Sequence, residues 1–116
     1  MPTLDIAVET LSYLDYIEGE TMTDKLLALV ATHFAAQLRA CEMESKQYEM
    51  KYGTTFVEFA ARWENDEISE RWSHTVERDY MEWEGLEAEK RNWLSLLSDL
   101  PPVRRKKSRL ALAQGW

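Results

Sequence analysis

Leu27, Ala31, Phe34, Leu38, Cys41, Ser45, Tyr48 and Tyr52 recur at alternating spacings of four and three residues. Such a stripe holds to one face of a helix and to nothing else the backbone can form, so the spacing predicts a long amphipathic helix from about 23 to 52. Thr23 is read as its N-cap, with Asp24 in the first turn, and Gly53 as the residue that stops it. A stripe of this length cannot remain bare, so a second apolar face must cover it, from this chain or from another copy.

The same chain supplies a candidate. Val76, Trp83, Leu86, Trp93, Leu97 and Leu100 repeat along a segment that Ser73 can cap and Pro101-Pro102 must end, which predicts a second long helix over about 73–100. Asp79 and Lys90 fall in this stripe, so the seam is not expected to be wholly dry. Between the two, Thr55-Phe56-Val57-Glu58 carries a capping-box signature and opens a short helix over 55–65 with Phe56, Phe59, Ala60 and Trp63 on one face. Residues 66–72 read as a connector. At the start, Leu4, Ile6 and Val8 alternate as in a strand, whereas Leu11, Leu14 and Tyr13, Ile17 step as in a helix, so 1–20 reads as a short extended or helical arm. The expected fold is mainly α: one domain over 1–102, with an antiparallel pair of long helices and a short connecting helix. A separate tail follows from 103 to 116.

Charge divides the chain in the same place. All 21 acidic residues lie between Asp5 and Asp99 with nine of the 14 basic ones, so the body carries −12. The tail carries +5 through Arg104, Arg105, Lys106, Lys107 and Arg109. An acidic body repels nucleic acid phosphates, so any such contact is expected only through the tail. The longest apolar run, Leu26 to Ala31, is far short of the roughly 20 residues that cross a bilayer. The acidic N-terminal stretch does not resemble a secretory leader, and one cysteine suits a reducing cytoplasm.

Catalytic and metal chemistry find little footing. Glu77, Asp79, Glu82 and Glu84 crowd the last helix, but no Glu-x-x-His step accompanies them, and His33 and His74 have no second ligand at a useful spacing. Ser73 is better used as a cap than as a nucleophile beside His74. The acids instead read as a solvated helix with pairs such as Glu87 and Arg91, or as a surface for a basic partner. No cofactor, metal or enzymatic activity is expected. Of the tryptophans, Trp72 and Trp83 are the candidates for aromatic anchors at an interface, where this residue is enriched.

The segment Lys51-Tyr52-Gly53-Thr54-Thr55-Phe56-Val57-Glu58-Phe59, followed by Ser73-His74-Thr75-Val76-Glu77-Arg78-Asp79-Tyr80-Met81-Glu82-Trp83-Glu84, resembles a pattern of small bacterial and archaeal antitoxin-like proteins. That pattern is similar to K-Y-G-x-x-F-x-x-F, then a Tyr/Trp-Ser-x-x-Val-Glu-x-Asp stretch and a Trp-Glu pair, and covers roughly residues 34–97. The resemblance implies a cytoplasmic protein, alone or as a homodimer, encoded beside a ribonuclease-type toxin that it binds and neutralises. The acidic helix would then stand in for phosphates in a basic cleft. The basic tail lies outside the pattern. Operator binding through an N-terminal ribbon, common among antitoxins, is not expected, because Thr3, Asp5 and Ala7 would face the bases. Two other readings follow from the residues: a self-assembling helical structural protein with the 27–52 stripe as its seam, and a nucleic-acid accessory protein acting through Arg104 to Arg109.

Overall fold

The computed structural model describes residue 3 and residues 5–102, and the expectations placed on the basic run Arg104 to Arg109 lie outside them. Among the described residues the chain is helical and without strands. Its elements are α1 (Val8–Tyr13) with a single 3-10 turn at Leu14–Tyr16, then α2 (Met22–Tyr52), α3 (Phe56–Glu64) and α4 (His74–Asp99). Compactness divides the chain after His33, and Phe34–Ser98 form one unit.

Among the described residues, which leave out Leu4, the alternation that suggested a strand finds no strand to pair with. The chain turns into α1 instead, with Ala7 at the N-cap position and its carbonyl accepting from Thr10 and Leu11. Leu14 is buried, and the Lys25 ammonium donates to its carbonyl at 2.9 Å. Gly19 is required at the turn that follows. Its φ is +145°, and a Cβ there would lie 2.7 Å from the backbone nitrogen of Lys25. The cap of α2 is Thr21 rather than Thr23. Thr21 Oγ1 accepts from the Asp24 amide at 3.1 Å while the Asp24 carboxylate accepts from the Thr21 amide at 3.3 Å, a reciprocal box that leaves Thr23 inside the first turn.

In the 34–98 unit, α2 and α4 pack on each other with α3 between them. The part of the 27–52 stripe that falls here is buried or half-buried from Phe34 to Tyr52, and so are Val76, Asp79, Trp83, Leu86, Lys90, Trp93 and Leu97 of α4. From Phe34 to Tyr52 the seam expected for a second chain is therefore filled by α4 of the same chain. Trp83 is the centre, 0% exposed, with its ring centroid 5.3 Å from Phe56, 5.3 Å from Phe59, 5.7 Å from Tyr48 and 6.0 Å from Tyr52. Burying one indole removes roughly 200 Å² from water, a gross gain of about 5 kcal/mol.

Gly53 ends α2 at φ +68°, with its amide on the Glu49 carbonyl at 2.7 Å. Thr55 caps α3 by accepting from the Glu58 amide at 3.3 Å. The return half of the expected box is missing: Glu58 accepts instead from the Thr54 hydroxyl at 2.6 Å. Ser73 caps α4 as its position suggested, accepting from the Val76 amide at 3.1 Å. α4 then runs to Asp99, just short of the prolines.

Candidate functional site

The acids of α4 divide into those turned to α2 and those turned to solvent. Tyr52 and Lys51 both donate to Asp79 at 2.5 Å, Tyr48 donates to Glu82 at 2.5 Å, Ser45 to Glu87 at 2.9 Å, and the Cys41 thiol to Glu89 at 3.3 Å. As residue numbers fall along α2 they rise along α4, so this ladder of hydrogen bonds fixes both the antiparallel sense and the register of the pair. Trp83 joins it by donating its indole N–H to Ser45 at 2.9 Å.

The electrostatics follow from the ladder. Burial alone would push the Asp79 carboxyl up, but the hydrogen bonds from Lys51 and Tyr52 outweigh it and hold the group below the usual carboxylate range. The hydrogen bond to Glu82, helped by burial, pushes the Tyr48 phenol up to about 12. Burial first, and the contact with Asp79 second, raise Tyr52 as well. The Cys41 thiol is likewise raised, by burial and by Glu89, which makes it a packed donor rather than a reactive thiolate.

Two of the four acids expected to meet a partner are therefore committed to the fold. Asp79 is 8% exposed, and Glu82, though exposed, holds Tyr48; Glu77 and Glu84 are also exposed on α4, with Glu84 hydrogen-bonded to Tyr80. Being seven residues apart, they share one face. Glu87 also departs from expectation. Its salt bridge is to Lys90 at 2.9 Å, not to Arg91, because the seam holds both Glu87 and Lys90 while Arg91 faces out.

The two anchor candidates separate completely. Trp83 is core and offers nothing to a partner, which corrects its assignment as an anchor. Trp72 is 80% exposed. It is nevertheless held. The guanidinium of Arg71 lies 5.0 Å from the Trp72 ring and 5.1 Å from the Trp63 ring, and Trp63 stacks on Tyr80 at 4.4 Å and 8°. Tyr80 in turn touches Phe56 and Phe59. A pile of one indole, one guanidinium, a second indole and a phenol thus runs from solvent to the core.

Local backbone holds the pile in place. Asp66 turns the chain after α3 with φ +58°, a conformation that Asp tolerates better than most residues, and its carboxylate accepts from Arg71 at 3.2 Å. The Arg71 amide closes a turn on the Ile68 carbonyl, and the Ser73 amide another on Glu70. The Arg71 Nε is buried with no hydrogen-bond acceptor, while the guanidinium charge meets the Asp66 carboxylate and the two indole faces. Burial, with Glu84 next in order, raises the Tyr80 phenol, which places Glu84 beside the inner end of the pile. A neighbouring groove of about 330 Å³ is lined by Tyr52, Phe59, Arg62, Ile68, Glu70 and Val76.

Sequence reasoning found Trp72 and the two exposed glutamates but missed Arg71, Trp63 and Tyr80 as parts of one feature. The adjacency of Arg71 and Trp72 was the only local signal. The remaining contacts join three separate elements and have no fixed spacing. The arrangement presents an exposed indole at the outer end of the pile, with Glu84 beside Tyr80 at its inner end. Among the described residues no His, Cys, Asp and Glu cluster could hold a metal ion, and no helix is long and apolar enough to cross a membrane. Comparison of the chain with protein-family models, with curated proteins and with solved structures finds no significant match.

Proposed function

We propose that this chain is a non-enzymatic, antitoxin-like protein of the cytoplasm that binds and neutralises a protein toxin, with Trp72 as the anchor and Glu77 and Glu84 as flanking charges. The observation that carries the reading is the exposure of Trp72 at 80% together with its attachment, through Arg71 and Trp63, to the core. A large apolar side chain already held in place loses little conformational freedom on binding, which is what a hot-spot residue needs.

The antitoxin-like pattern gains a physical meaning in the fold. Lys51 and Tyr52 hold Asp79, while Phe56, Phe59, Val76 and Trp83 pack together, so these pattern residues build the scaffold, and Trp72, Glu77 and Glu84 of the same pattern stand exposed on it. The carboxylates of Glu77 and Glu84 suit a basic, phosphate-binding cleft such as that of a ribonuclease-type toxin. Self-assembly through the 27–52 stripe has no such support, since α4 covers the part of it in the 34–98 unit.

Growth tests the reading. The product of the adjacent gene, expressed alone, should arrest growth, and co-expression of this chain should restore it. Arrest that persists despite soluble co-expressed protein would count against a neutralising role.

A further inference from the structure

With the core stripe of α2 covered by α4, the opposite face of the same helix is open and carries its own pattern. Ala36, Met43 and Met50 are seven residues apart, with Ala40 between the first two, and all four are exposed. Met43 and Met50 are 64% and 77% exposed, high values for apolar side chains at the centre of a helix face. Along one edge of this strip run Arg39, Glu42, Lys46 and Glu49, alternating in sign at steps of three and four. None of these four takes part in a salt bridge among the described residues.

We propose that this face of α2 is the surface on which a second copy of the chain docks, antiparallel, about a twofold axis at Met43. The axis sets Met43 against its own equivalent and, on either side of it, Ala36 against Met50 of the second copy, so that the two flanking contacts each match a large side chain with a small one. A parallel pair would set Ala36 on Ala36 and Met50 on Met50, leaving a gap at one end and a clash at the other. The charged edge favours the same sense. In the antiparallel pair Arg39 comes within two residues, about 3 Å of helix rise, of Glu49 of the second copy, and Lys46 equally close to Glu42. Each contact occurs twice by symmetry, as an isologous interface requires. One helix face falls near the lower limit of stable interfaces, so the dimer should depend on concentration.

The inference concerns the chain alone and does not rest on the proposed toxin partner. Light scattering over a concentration series should show a dimer for the full chain, and Met43→Glu should give a monomer whose unfolding midpoint matches that of the parent diluted to the monomer. Arg39→Glu should raise the dimer dissociation constant about tenfold, from two equivalent pairs, and adding Glu49→Arg should restore it. In a Cys41→Ser background, Met43→Cys should form a disulfide-linked dimer under mild oxidation, whereas Met50→Cys should not. Trp72→Ala should leave the dimer intact. The proposal is overturned by a monomer at every soluble concentration, by a dimer indifferent to Met43→Glu, by cross-linking through Met50→Cys, or by loss of the dimer on Trp72→Ala.

Discussion

Trp83 donates its indole N–H to Ser45 at 2.9 Å, and the Ser45 hydroxyl in turn donates a hydrogen bond to Glu87 at 2.9 Å. The most buried side chain of α4 is therefore tied to α2 by a hydroxyl that is itself buried and fully used. Ser45→Ala removes one partner and leaves the indole N–H unsatisfied. The expected cost is about 1–3 kcal/mol, read from the urea midpoint. A change of less than roughly 0.5 kcal/mol, the scatter of ordinary surface substitutions, would show that the contact is dispensable.

Trp72 and Trp83 should behave as opposites. Trp83→Ala opens a cavity at the meeting point of four aromatic rings and should lose about 3–5 kcal/mol. Trp72→Ala removes only the outer end of the stack and should lose about 0.5–1 kcal/mol, the worth of an exposed cation–π contact. Denaturant unfolding of both variants separates these roles before any partner is added.

The start of α2 gives a comparison free of packing. Thr21→Ala should cost about 1 kcal/mol through loss of the reciprocal cap. Thr23→Ala, one turn position further in, should stay within roughly 0.5 kcal/mol of the parent. The reverse order would move the cap back to Thr23.

Stability should fall at both ends of the pH range, for different reasons. Asp79 has its folded value depressed below the ordinary 3.8, so its contribution is present above that value and disappears as pH falls through the folded one. Tyr48 is raised from 10.0 to about 12, so its contribution is complete below pH 10 and is lost as pH rises toward 12. Urea midpoints measured across pH should show both slopes, and Tyr48→Phe should make the alkaline slope shallower. An alkaline slope unaffected by that change would remove Tyr48 from the ladder.

The helices themselves were legible in the sequence because apolar periodicity and helix geometry are the same fact stated twice. The stripe from Phe34 to Tyr52 and the face of α4 from Val76 to Leu97 are where the spacing put them. Polar members of the stripes were harder to interpret. Asp79 and Lys90 looked like flaws in a dry seam, yet Asp79 meets Lys51 and Tyr52 across it, a pairing visible only once the register is known. The acidic helix misled for the same reason: a run of glutamates reads as a surface, and spacing cannot say which carboxylates meet hydroxyls on a neighbouring helix. Thr21 was passed over because Thr23 also precedes the apolar run, and the choice between them depends on the sharp turn at Gly19. Trp83 and Trp72 are the same residue type in similar acidic surroundings, and only the packing of α3 distinguishes them.

The central claim is that a fixed, exposed Trp72, flanked by Glu77 and Glu84, binds a basic protein partner. Titration calorimetry of the adjacent gene's product into this chain, and into Trp72→Ala and Glu77→Lys/Glu84→Lys variants shown to be fully folded at the titration temperature, tests it most directly. The account predicts tight binding by the parent, a loss of at least about 2 kcal/mol on removing the indole, and weaker, less salt-sensitive binding on reversing the two charges. Equal affinity for all three proteins, or no binding by the parent, would contradict it.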